Sequence, residues 1–98
     1  MADIPLSECT VFEECGQATK TVIIRTAATV DATDVITPIT LANYGITNLL
    51  YVKGFVHTAT DSVIAVEVDT TSVTSGVLSV TIAAGTNDDV RVIEICGY

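Results

Sequence analysis

β-Branched residues dominate this chain: valine, isoleucine and threonine occupy 40 of its 98 positions (14, 10 and 16). Such side chains lose rotamer freedom in a helix and pack well on a pleated sheet. They occur in short runs that are separated by Gly, Asn, Asp and Ser, the residues that favour turns. The pattern predicts an all-β fold, a small antiparallel β-sandwich or barrel.

The first 19 residues differ from the rest of the chain. Ser7 precedes the acidic residue Glu8, and Gly16 follows Cys15, an arrangement typical of a short capped helix. Strand signals begin only at Lys20. We therefore predict an N-terminal arm, residues 1–19, followed by a β-domain, residues 20–98, since a chain of this length builds one core.

Alternation of apolar and polar residues predicts which strand faces are buried. The clearest cases lie in residues 64–69 and 78–83, and a longer strand is expected over residues 47–58. The residues predicted to face inward are Leu50, Val52, Gly54, Val56, Ile64, Val66, Val68, Leu78, Val80 and Ile82. Those predicted to face outward include Glu67, Ser79 and Thr81.

Charge and hydropathy exclude two classes of partner. The formal net charge of -8 repels polyanions, so we expect no nucleic-acid binding. Apolar runs are too short for a membrane helix, so we expect no membrane partner. Residues 1–6 include Asp3 and no basic residue, unlike a signal peptide. We expect synthesis and use in a cytosol-like compartment, or release by lysis.

The potential metal ligands do not form a recognisable site. Cys9, Cys15 and Cys96 are odd in number and contain no Cys-x-x-Cys pair, so we expect reduced thiols and no zinc site with His57. Asp88 and its neighbour Asp89 resemble part of a calcium loop, but the distal Glu of such a loop is missing. We expect neither a metal nor another cofactor.

Catalytic patterns are equally incomplete. His57 is the single histidine, and no Gly-x-Ser-x-Gly motif accompanies it. Glu67 and Asp69 share one strand face and could serve as paired carboxylates on a sugar, but the chain has no tryptophan for a glycan platform. We interpret them as solubilising surface residues and expect no enzyme activity.

Residues 39–98 resemble a family of known proteins. The segments that carry the resemblance are ITLANYGI at 39–46, VKGFVHT at 52–58, SGVLSVT at 75–81 and RVIEICGY at 91–98. In their strand-and-turn style they are similar to small virion proteins of tailed bacteriophages, of the capsid decoration or cement type.

The resemblance implies a non-enzymatic structural protein on the outside of the phage head. Such a protein is made in the host cytoplasm, binds the major capsid protein and bridges neighbouring copies of it. The resemblance also implies self-association, including trimers around a symmetry axis. The alternatives are another virion component, such as a tail, neck or fibre protein, and a small ligand-binding or glycan-binding β-sandwich.

Four apolar residues of the arm are the candidate partner-binding residues, because a short detached segment cannot bury them alone. They are Ile4, Leu6, Val11 and Phe12. We expect them to contact the capsid or a second copy, so that a chain beginning at Gln17 would fold but lose binding. The alternative is that the arm covers one open end of the sandwich.

Overall fold

A computed structural model describes residues 3–16, 18–58, 63–83 and 87–98, without the side chains of Cys15, Thr58 and Val63. This part of the chain consists mainly of strands and includes two 3₁₀ helices, at Leu6–Glu8 and Leu41–Tyr44. The strands are β1 (Asp3–Ile4), β2 (Thr10–Cys15), β3 (Lys20–Arg25), β4 (Val35–Thr40), β5 (Leu49–Thr58), β6 (Val63–Glu67), β7 (Thr70–Thr74), β8 (Val77–Thr81) and β9 (Val90–Gly97). The predicted all-β class is confirmed.

The strands form two sheets packed together as a sandwich. The four-stranded sheet has the order β1-β4-β8-β7, and the five-stranded sheet has the order β2-β3-β9-β5-β6. Every pairing is antiparallel except that of β1 with β4. Because β1 and β2 are joined by a short connection, as are β6 and β7, each lateral side of the sandwich combines one edge of each sheet.

The core lies between the two sheets and is almost wholly aliphatic. Its fully buried members come from the central strands: Val22, Ile24, Ile36, Ile39, Leu78, Val80, Ile93 and Ile95. Complete burial of such a side chain stabilises the fold by about 1.5–3 kcal/mol. The inward prediction for Leu78, Val80 and Ile82 is confirmed, whereas Ser79 and Thr81, on the opposite face, are half-buried.

An irregularity in β5 changes which residues face the core. The pairing of β5 with β9 shifts register between Leu49 and Tyr51. As a result Leu49 packs against the core while Leu50 is 53% exposed, so the inward prediction for Leu50 is wrong. A bulge of this kind inserts one residue and reverses the alternation on one side of it. The inward prediction holds for Gly54 and Val56, both of which are buried.

The predicted faces of β6 are also wrong. Ile64, Val66 and Val68 are 61%, 73% and 86% exposed, whereas the Glu67 side chain is only 11% exposed. The strand lies at the edge of its sheet, so its neighbours cover few of its side chains. The inward-facing Glu67 pairs with a buried arginine, and that ion pair determines the orientation of the strand.

The N-terminal segment does not form the predicted helix or a detached arm. After the 3₁₀ turn it continues as β2, which pairs with β3 from Thr10↔Arg25 to Cys15↔Lys20. Apolar and polar residues do not alternate within TVFEEC, so pairing along all of β3 makes this segment a strand and outweighs the helix-capping signals. The described part of residues 1–19 thus contributes an edge strand to each sheet.

Candidate functional site

The outer face of the five-stranded sheet is unusually apolar. The strand registers place Phe12 opposite Ile23, and they align Val92, Phe55 and Val66 across three neighbouring strands. We call the apolar residues of this face the outer apolar band: Phe12, Ile23, Phe55, Ile64, Val66 and Val92. Phe12, Ile64 and Val66 are each more than half exposed, and the other three are half-buried.

Charged residues on the same face are balanced in sign. Arg25 and Lys53 contribute +2, and Glu14 and Glu94 contribute -2, so the face sums to zero on a chain of net charge -8. Lys53 lies directly opposite Glu94 in the register, and its Nζ stands 5.1 Å from the centre of the Tyr51 ring. An apolar surface with balanced charges suits contact with another protein, since its apolar part supplies affinity and its charges fix orientation.

A polar cluster lies beneath the edge of this sheet, on its inner side. Arg91 is fully buried, and its Nη1 donates hydrogen bonds to the carbonyl oxygens of Val30 and Asp89 at 2.6 and 3.3 Å. Its Nε and Nη2 contact Oε1 and Oε2 of Glu67, each at 3.3 Å. The backbone N–H of Arg91 donates to Thr26 Oγ1 at 2.8 Å. Arg91 therefore links the segment that follows β3 to the segment that precedes β9.

Asp69 completes this cluster at the crossing from β6 to β7. Its Oδ1 accepts a hydrogen bond from the backbone N–H of Ala83 at 2.9 Å, while Oδ2 is buried and has no partner among the described residues. Burial, reinforced by the neighbouring Glu67, raises the pKa of Asp69 to about 6, although the Ala83 N–H and Arg91 act in the opposite direction. The protonated carboxyl can donate to Glu67, which the ionised form cannot.

Gly54 provides the space that this cluster occupies. A Cβ at residue 54 would collide with Asp69 Oδ2 and would lie 2.6 Å from the carbonyl oxygen of Glu67. The carboxylates of Glu67 and Asp69 therefore point inward and are closely packed. This finding is contrary to their interpretation as solubilising surface residues. Their engagement with Arg91 and Ala83 gives them a structural role.

Three of the remaining candidates from the sequence share one place on the surface. His57, Asp88 and Asp89 line an open depression of about 370 Å³ together with Arg25 and Thr26, but the Thr26 hydroxyl already contacts Ala27 and Arg91. Across the ranges that the structure describes, no three His, Cys, Asp or Glu residues are grouped to hold a metal ion.

Two of the three cysteines have described side chains, and both are free thiols. Cys96 is buried, and Cys9 is half-buried with its Sγ donating to the Pro5 carbonyl oxygen at 3.7 Å. Burial, together with the charge of Glu8, raises the pKa of Cys9. Cys15 lies outside the described side chains. A raised pKa lowers the thiolate fraction, so Cys9 is a poor nucleophile.

The four partner-binding candidates fall into two groups. Ile4, Leu6 and Val11 are half-buried and pack against the core, and only Phe12 belongs to the outer apolar band. Ile23, Phe55 and Val92 were not predicted as binding residues from the sequence, and Ile64 and Val66 were predicted to lie in the core. In β3 and β9, apolar residues occur on both faces of the strand, and this pattern was the sequence signal for a second apolar face.

Comparisons of the chain with protein-family models, curated proteins and solved structures found no match. Among the described residues, no helix has the length and apolar character needed to cross a membrane.

Proposed function

We propose that this chain is a non-enzymatic capsid decoration, or cement, protein of a tailed bacteriophage. In this proposal it binds the outside of the head through the outer face of its five-stranded sheet and bridges neighbouring major capsid proteins. The observation that carries the proposal is the outer apolar band, in which Phe12, Ile64 and Val66 are more than half exposed. The resemblance of residues 39–98 to decoration proteins supplies the identity of the partner.

Leaving the outer apolar band exposed to water costs free energy. Transfer of apolar surface from water is worth roughly 25 cal/mol per Å², and exposed contiguous apolar surface on a small domain is typical of a protein-binding site. The band spans the sheet from Phe12 on β2 to Val66 on β6. A flat sheet face of this kind can lie across the joint between two capsid subunits.

The balanced charges of the face favour the same use. Lys53 and Glu94 lie opposite each other in the cross-strand row that begins with Phe12 and Ile23. Polar groups of this kind contribute orientation more than affinity. A copy that contacts two neighbouring capsid subunits at once gains avidity, because the second contact is intramolecular once the first has formed.

Capsid addition tests the proposal. The full chain is mixed with purified heads that lack it, and bound protein is measured by sedimentation against the major capsid protein. We expect saturation in a fixed ratio. Binding to tails or necks instead of heads would favour the alternative virion roles, and a protein that binds no virion part would contradict the proposal.

A matched pair of variants tests the surface. Phe12→Lys lies in the band, and Val73→Lys lies on β7 of the other sheet, where Val73 is similarly exposed. We expect Phe12→Lys to weaken head binding roughly tenfold or more, since it buries an unpaired charge, and Val73→Lys to bind normally. Equal binding by both variants would reject the outer face as the docking surface.

A further inference from the structure

We propose that two copies of this chain associate through β6, paired antiparallel about a two-fold axis, so that their five-stranded sheets join into one ten-stranded sheet. The inference rests on the edge position of β6. Ile64 and Val66 also belong to the outer apolar band, so the test below measures dimerisation without capsids and does not depend on the proposed function. The occupant of the edge is a second copy of this chain.

The four edge strands differ in how they are protected against such pairing. β1 has two residues, β2 presents the exposed carboxylates of Glu13 and Glu14, and β7 is composed of threonine and serine apart from Val73. Short length, charge and polarity are the usual means of blocking an edge. β6 is five residues long, its one charged residue, Glu67, points inward to Arg91, and Ile64 and Val66 are both more than half exposed.

Charge also favours this side of the sandwich. Residues 63–74 contain two acidic residues and no basic ones. Both acidic side chains are drawn inward, Glu67 to Arg91 and Asp69 to the backbone of Ala83. On a chain of net charge -8, like charges oppose association. The β6 side brings no outward-pointing carboxylate from this segment to a second copy.

β6 is self-complementary when two copies run antiparallel. In the register that gives the longest overlap, Ala65 lies opposite Ala65 of the second copy, and Ile64 lies opposite Val66 of the second copy. Both cross-strand pairs on the outer side are then aliphatic, and such pairs stabilise a sheet. The second copy therefore supplies matching aliphatic side chains on the outer side, and its Glu67 stays paired with its own Arg91.

The first test measures the oligomeric state of the full chain by sedimentation equilibrium over a wide concentration range. We expect a dimer of twice the 10.3 kDa chain mass. Val66→Lys should weaken dimerisation roughly tenfold or more, because lysine on an edge strand blocks pairing. Phe12→Lys, which alters the opposite edge, should dimerise normally. Circular dichroism checks that both variants are folded.

Two results would overturn the proposal in this test. One is a wild-type chain that stays monomeric or forms trimers, and the other is a folded Val66→Lys variant that dimerises like the wild type. Capsid binding is not a readout, so a failure here and a failure of the decoration proposal are distinguishable.

The second test probes the register. Directly opposite residues of antiparallel strands have Cα atoms about 4.5–5.5 Å apart, which a disulfide can span. Ala65→Cys should therefore form an intermolecular disulfide under mild oxidation much faster than the wild type with its native cysteines. Thr10→Cys, on the exposed edge strand β2, is the matched control. Equal cross-linking rates for the two variants would overturn the proposed pairing.

Discussion

The guanidinium of Arg91 and the carboxylate of Glu67 form two parallel contacts, Nε to Oε1 and Nη2 to Oε2, each 3.3 Å long. This fork-to-fork arrangement joins β9 in the middle of the five-stranded sheet to β6 at its edge. The pair is separated by 24 positions in the sequence, and it determines which side of β6 faces the core.

Removing one partner of the pair should be strongly destabilising. Glu67→Gln leaves the buried Arg91 cation without its counter-charge, which typically costs about 3–5 kcal/mol. The free energy of unfolding is measured by urea denaturation, with Glu14→Gln on the exposed edge strand as the control, expected within about 0.5 kcal/mol of the wild type. A Glu67→Gln protein as stable as the control would show that the contact contributes little.

Asp69 should make stability depend on pH near neutrality. Folding raises its pKa from the ordinary value of 3.8 to about 6, so the folded chain binds this proton more tightly than the unfolded chain. The resulting stabilisation is fully present below pH 3.8 and is lost as pH rises through 6. Because the side chain is half-exposed, solvent screening limits the effect to about 1–2 kcal/mol.

Asp69→Asn isolates that effect. The amide keeps an oxygen for the Ala83 N–H and places a donor toward Glu67, so the variant resembles the protonated wild type at every pH. We expect its stability relative to the wild type to increase between pH 4 and pH 7 in urea denaturation series. A difference that stays constant, or that falls with pH, would contradict the raised pKa.

Val80 and Val66 were both predicted to face the core, but they should respond differently when each is replaced by aspartate. Val80 is fully buried and Val66 is 73% exposed. Val80→Asp places an unpaired charge in the core and should prevent folding, whereas Val66→Asp should change the unfolding free energy by at most about 0.5 kcal/mol. Thermal melts at low protein concentration keep self-association out of the comparison. Similar losses in both variants would mean that β6 faces the core.

Shortening the chain to begin at Gln17 should destabilise it. The deletion removes β1 and β2, and with them Leu6 and Val11, which pack against the core. Val22 and Ile24 on β3 would then lose their lateral cover. We expect a lower melting temperature or aggregation, seen by circular dichroism and light scattering. A shortened protein that melts like the full chain would contradict this prediction and would show that the fold does not need residues 1–16.

The sequence predicted the fold class and the strands whose alternation is regular. β8 is the best example: Leu78, Val80 and Ile82 alternate with polar residues, and a strand in the interior of a sheet buries one face completely. β5 failed at one end because a bulge reverses the parity between Leu49 and Tyr51. Alternation read from one strand contains no information about an irregular pairing with another.

β6 and β2 failed for reasons of tertiary structure. The inward turn of Glu67 depends on Arg91, a partner that periodicity within β6 cannot reveal. Residues 10–15 lie within a helix-capping pattern and show no alternation of apolar and polar residues, and pairing with β3 makes them a strand. The outer apolar band could be predicted only in part, because Phe55 and Val92 become neighbours through the register of β5 and β9.

The position of β9 has a consequence for biosynthesis. It lies between β3 and β5 in the five-stranded sheet, and it is the last of the described strands to leave the ribosome. Until β9 emerges, no strand connects β3 with β5, and Arg91 is not yet present to pair with Glu67. The nascent chain therefore holds the pairs β2–β3 and β5–β6 without the strand that joins them, so the complete core forms only after β9 has been synthesised.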